Sequence, residues 1–137
     1  MSTMTQLQSS IHYQAQFTVQ PKHTVPAVDP SWPGFADMPP VLATAMMIGF
    51  MEQTCVEALR PYLAANEHTV GTGVEVRHVA ATLAGDTVTA SVTLENVEGR
   101  FLLFHVSCHD DHGLIGEGTH QRAMIDPVRF MQRLMAR

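Results

Sequence analysis

The sequence predicts an α+β domain in which a curved antiparallel sheet wraps around one long central helix. Three observations predict it. An uncharged apolar run from Val41 to Met51 opens a helical stretch, four segments of alternating polarity follow it closely, and one more such segment precedes it. A sheet that meanders after a single apolar helix buries most surface by curling around that helix.

Ile11 to Val19 reads as the first strand, because Ile11, Tyr13, Ala15, Phe17 and Val19 alternate with His12, Gln14, Gln16 and Thr18. From Pro21 to Pro40 the alternation stops, and six prolines, a glycine and a tryptophan predict an ordered loop. Loops of this length often act as lids, although a plain covering loop accounts for it equally well. Val41 to Leu63 reads as the helix. Its first half is apolar on all sides, which requires protein around it, and Pro61 marks where the pattern weakens. The eleven-residue apolar run is well short of the ~20 residues that span a membrane.

Thr69 to Ala81 alternates, with Val70, Val74, Val76 and His78 assigned to one face. In Asp86 to Val97, Val88, Ala90, Val92 and Leu94 oppose Thr87, Thr89, Ser91 and Thr93. Glu98-Gly99 turns the chain into Arg100 to His109, and Asp110 to Gly113 turns it into Leu114 to Ile125. Pro127 opens a short terminal helix carrying Val128, Met131, Leu134 and Met135. Strand, loop, buried helix, four meandering strands and a tail helix make the order of a hotdog fold, one domain over residues 1–137.

With 45% hydrophobic and 15% charged residues the composition is ordinary for a globular protein. The net charge of −5 argues against nucleic-acid binding, which draws on a basic surface. Met1 to Ser10 is polar and lacks the hydrophobic segment of a signal peptide, so a cytoplasmic protein with no membrane partner is expected. Cys55 and Cys108 form no C-x-x-C motif and fall in apolar patterns, which predicts two buried free thiols. His105 and His109 share a strand face and His112 follows in the turn, but no carboxylate or cysteine pattern closes a metal site around them.

Three residues carry chemistry against their surroundings. Glu52 is the first charge after the apolar run, so its carboxylate is partly withdrawn from water, or else it marks where the helix meets solvent. Thr44 lies eight residues earlier, about 12 Å along a helix, too far for direct contact. Near a helix start its hydroxyl either caps the helix or holds a ligand. His78 shares the expected inner strand face with Val74 and Val76, which aims its ring at the helix.

Thr44-Ala-Met-Met-Ile-Gly-Phe-Met-Glu52-Gln-Thr-Cys55, with Gly71-Thr-Gly-Val-Glu-Val-Arg-His78-Val-Ala-Ala-Thr82, resembles the fluoroacetyl-CoA thioesterase family of hotdog proteins. Val97-Glu-Gly-Arg100 and Gly118-Thr-His-Gln-Arg122 extend the resemblance, which runs from about His23 to Phe130. It implies a homodimer acting on a short-chain acyl-CoA, without a separate cofactor, and a catalytic trio of Thr44, Glu52 and His78. It further implies that Gly71 lies near the thioester and that Arg122 takes the place of an arginine in the last strand. Phe35 is kept in the lid. Met38 stands where the fluoroacetate-specific enzyme has a second aromatic, which bears on fluorine selectivity rather than on thioester chemistry.

Thioester cleavage needs an attacking group, donors for the oxyanion and a proton for the leaving sulfur. On this reading Glu52 attacks directly, forming an acyl anhydride, or activates water. Thr44 positions carboxylate or substrate, His78 exchanges protons, and backbone N–H groups near Gly71 face the oxyanion. A non-catalytic acyl-CoA or small-ligand binding protein is the alternative, and it has no need of Glu52. An enoyl-CoA hydratase of the same fold would want a His and an acid close together on a loop and short helix, and the sequence offers no such pair beside His78.

Overall fold

The structure, a computed structural model, describes residues 11–137; Met1 to Ser10, read above as polar and without a signal peptide, lies outside the described residues. Strand β1 (His12–Thr18) leads through two one-turn helices, α1 (Val25–Val28) and α2 (Pro33–Ala36), to the long helix α3 (Thr44–Leu59). Strands β2 (His68–His78), β3 (Thr87–Glu98), β4 (Phe101–Asp110) and β5 (Gly113–Ile125) follow, then helix α4 (Pro127–Met135). All strand pairs are antiparallel in the order β1-β3-β4-β5-β2, which leaves β1 and β2 as the edges.

Alternation along the strands makes the inner face. Val88, Ala90, Val92 and Leu94 of β3 and Leu102, Phe104, Val106 and Cys108 of β4 are at most 2% exposed. Helix α3 lays Met47, Met51, Cys55 and Leu59 on that face, each at most 1% exposed. Full burial of side chains like these contributes on the order of 1.5–3 kcal/mol apiece. The fit is close at Gly116, where a Cβ would stand 2.6 Å from Met47 Sδ.

Three features differ from the sequence reading. The segment Pro21 to Pro40 is not without elements: a 3-10 turn (Pro21–His23), α1 and α2 occupy much of it. Pro21, Pro26 and Pro33 sit at the first or second position of these turns, where a missing N–H costs nothing and a fixed φ favours the helix. The long helix starts at Thr44 rather than Val41, because Val41 and Leu42 are bridged to Leu83 and Thr24. It ends at Leu59, and a 3-10 turn over Arg60–Tyr62 takes in Pro61.

The helix is also less enclosed than its apolar sequence demands. Ala45, Gly49 and Gln53 are exposed along one flank, since a single sheet covers only one side of a cylinder. On β2 the register slips between Gly71 and Gly73, leaving Thr72 as a bulge. Val70 therefore falls on the face opposite Val74, Val76 and His78, not with them.

Candidate active site

Thr44 is the first residue of α3, and the helix cap is Ala43, which makes no side-chain cap bond. The Thr44 hydroxyl is thus free for other work, and its Oγ1 lies 2.8 Å from Nδ1 of His78 at the end of β2. The His78 Nε2 is buried and has no hydrogen-bond partner among the described residues. Burial lowers the His78 pKa, opposed by the backbone of Ala80, so the ring is neutral at pH 7 and can accept or pass a proton. Beside the pair opens a cavity of about 310 Å³ lined by Val25, Val41, Leu42, Thr44, His78 and Val79.

Glu52 stands two turns further along α3, at the opposite end of β2. Its Oε2 accepts from Nη1 of Arg122 at 2.7 Å, with the carboxylate side chain 43% exposed and the arginine 5%. Arg122 is held in turn: Nε donates to Thr69 Oγ1 at 2.8 Å and Nη2 to the Thr69 carbonyl at 2.9 Å. Its Nη1 also lies 3.1 Å from His120 Nε2, and His120 Nδ1 lies 2.8 Å from the Gly73 carbonyl. Gly71 faces this carboxylate so closely that a Cβ there would stand 2.5 Å from Glu52 Oε2. Cys55, one turn on, is a buried thiol pushed up to about 12, by burial first, then eased by Arg122 and reinforced by Glu52. It is not a nucleophile at neutral pH.

The structure therefore gathers the predicted residues into two groups rather than one. Thr44 joins His78, and Glu52 joins Arg122 and Gly71. About 12 Å of helix separates Thr44 from Glu52, and about 20 Å of strand separates Gly71 from His78. Phe35 and Met38 are not among the residues that line the cavity at Thr44. Phe35 is half-buried with its ring 5.3 Å from that of Trp32, and Met38 is exposed. Their segment is nonetheless anchored beside the helix start, with Val25 N–H donating to Val41 O and Ala43 N–H to His23 O. Among the described residues no cluster of three or more His, Cys, Asp and Glu gathers for a metal ion, and no helix is long and apolar enough to cross a membrane.

The family of fluoroacetyl-CoA-specific thioesterases matches residues 19–127. A fluoroacetyl-CoA thioesterase from Streptantibioticus cattleyicolor is 47% identical over 114 residues, 83% of this chain and 82% of that protein. The chain belongs to the fluoroacetyl-CoA-specific thioesterase family. A solved structure of a fluoroacetyl-CoA thioesterase superposes with a TM-score of 0.89 at 43% identity, covering 92% of this chain and 93% of that one. A thioesterase-superfamily protein from Thermus thermophilus superposes at 0.78 with 26% identity, covering 92% and 94%. The hotdog fold read from the sequence is the fold observed.

Within this family member, sequence reasoning missed Thr69 and His120. Thr69 carries no signal, since a strand threonine is ordinary. His120 does: it precedes Arg122 by two residues in a strand, which places two polar side chains together on the inner face.

Proposed function

We propose that this protein hydrolyses a short-chain acyl-CoA to the carboxylic acid and free coenzyme A, working as a homodimer with each site shared between two chains. The observation that carries the reading is the Glu52 carboxylate, oriented by Arg122 and laid against Gly71, where the absent side chain lets the carboxylate lie close to the strand. Membership of a thioesterase family supports it.

The geometry also suggests how the two groups meet. They lie at the two ends of β2, an edge strand with Val74 48% exposed and no neighbour on its outer side among the described residues. If β2 pairs antiparallel with its copy about an axis between Val74 and Glu75, the start of one strand lies across from the end of the other. Gly71 and Glu52 of one chain then approach Thr44 and His78 of its partner. The same pairing covers a strand edge and brings a second copy toward the open flank of α3.

In this site Glu52 draws a proton from the water that attacks the carbonyl carbon, or attacks it itself to give an acyl anhydride that water then cleaves. Water supplies the proton for the sulfur in either case, and N–H groups at the Thr72 bulge face the oxyanion. His78, neutral and bonded to Thr44, offers its unpartnered Nε2 to the proton that must reach the leaving sulfur. The segment from Pro21 to Pro40, anchored beside the helix start, is assigned the role of a lid, which requires Phe35 and Met38 to turn from their places on Trp32 and in solvent toward the acyl group. A hydrolysis screen of acetyl-, fluoroacetyl-, propionyl- and longer acyl-CoA, read by free thiol, tests the reading. Turnover of the short substrates is expected; binding of all with cleavage of none would leave a binding protein instead.

A further inference from the structure

We propose that His120 is a positioning residue for Glu52, acting through Arg122; the inference rests on the thioesterase reading above. His120 is 3% exposed on the inner face of β5, between Val74 of β2 and Phe104 of β4. Two partners fix its state independently. A guanidinium only donates hydrogen bonds, so Nε2, 3.1 Å from Arg122 Nη1, must offer a lone pair. A carbonyl only accepts, so Nδ1, 2.8 Å from the Gly73 oxygen, must carry the hydrogen. The ring is the neutral Nδ1–H tautomer.

That tautomer determines where Arg122 points its last donor. Thr69 takes the Nε hydrogen and one of the two on Nη2, and of the two hydrogens on Nη1 one goes to His120 and the other to Glu52. Without an acceptor at Nε2 one guanidinium N–H would be buried and unsatisfied, and the guanidinium would turn to find a partner, carrying the carboxylate with it. A second proton on the ring would do worse. Its Nε2–H would face the Nη1 donor, and the next acceptor in reach would be Glu52 Oε2 at 4.0 Å.

The charged groups facing the ring are Arg122 on its own strand and Glu52 on α3; β2 presents the Gly73 carbonyl, and on β4 the ladder partner is the apolar Phe104. Burial is the largest influence on the ring and lowers its pKa, with Arg122 adding to the effect and Gly73 and Glu52 opposing it. The neutral form is thus the resting one at pH 7. The bulge at Thr72 is where the β2 register slips, immediately before Gly73, whose carbonyl meets the ring.

The test combines nitrogen-15 NMR of the histidine rings in the full-length protein with steady-state kinetics of H120N and H120Q. Gln can place an amide oxygen near the Nε2 position and still accept from Arg122, whereas Asn reaches only as far as Gly73. At about pH 7.5, well above the ordinary histidine value, the His120 signals are expected to show hydrogen on Nδ1 and none on Nε2. H120N is expected to lower kcat about ten- to a hundredfold with KM changed by less than about threefold, and H120Q to stay within about threefold of the parent. An Nε2–H tautomer or an imidazolium at that pH overturns the proposal, as does a folded H120N with the parent's kcat, or an H120Q as impaired as H120N. A parent that cleaves no acyl-CoA would count instead against the function, and the tautomer would still be read directly.

Discussion

Gly71 and His78 face the same side of β2 although seven residues separate them. In an unbroken strand an odd separation sends two positions to opposite faces. The bulge at Thr72 adds one residue and restores the match, so Gly71 meets Arg122 across the ladder while His78 meets Gly116, both on the helix side. A single irregular residue lets one strand serve both groups of the proposed site.

Gly71→Ala tests the near end of that arrangement. The new methyl would stand 2.5 Å from Glu52 Oε2, and the carboxylate, the end of a flexible side chain, would move rather than the backbone. Displacement of about 1 Å at an attacking group is expected to lower kcat by about a hundredfold. Kinetics together with a thermal melt check this, with the melt expected to stay close to the parent's.

Glu52→Gln keeps the shape and an oxygen for Arg122 while removing the charge. Turnover is expected to fall at least about a hundredfold, the low end of what such groups contribute, with acyl-CoA binding retained. Equal turnover on every acyl-CoA would make Glu52 structural.

Sharing of sites between chains makes a sharper forecast. Glu52→Gln and His78→Ala homodimers are each expected to be nearly inactive. In a mixed dimer one site would carry both defects and the other neither. Random exchange of the two variants is then expected to restore about a quarter of the parent activity. If mixing restores nothing, or the parent is a monomer by light scattering, the shared site is wrong.

Acidification is expected to destabilise the fold before most carboxylates titrate. Burial is the leading cause that holds the pKa values of His23, His78 and His120 below the ordinary histidine value. The unfolded chain therefore binds protons at these positions more readily than the folded one as pH falls through about 6.5. The stability they lend is complete above that pH and is lost as pH drops through their depressed values. Melting temperature should be level from about pH 8 to 7 and decline from about 6.5 to 5, less steeply in H120Q. A melting temperature that rises over the acidic window would contradict the sign.

Met38→Phe adds an aromatic three residues after Phe35, in the proposed lid segment that already pairs Phe35 with Trp32. Because Met38 is 49% exposed, stability should change by less than about 0.5 kcal/mol. A shift in the ratio of kcat/KM for fluoroacetyl- against acetyl-CoA is the expected outcome, and an unchanged ratio would separate this position from acyl choice.

What the sequence determined by itself is whatever repeats along the chain. Alternation at β3 and β4 and the apolar run of α3 declared which faces are buried, because a strand or helix puts residues of like spacing on one side. The pairing of Thr44 with His78, the clamp of Thr69 and Arg122 on Glu52, and the tautomer of His120 were decided only in the folded chain. The first two join residues 34 to 70 positions apart and the third needs the Gly73 carbonyl, 47 positions from His120; a hydrogen bond of this kind depends on where two elements cross, not on the spacing within either. The same holds for the bulge. The glycines of Gly71-Thr72-Gly73 are the kind that mark a bulge, but only pairing with β5 makes Thr72 the unpaired residue, and it reverses the face of everything before it, Val70 included. The exposed flank of α3 completes the point: the sequence demanded cover on all sides of the helix, and one chain's sheet, by geometry, supplies it on only one.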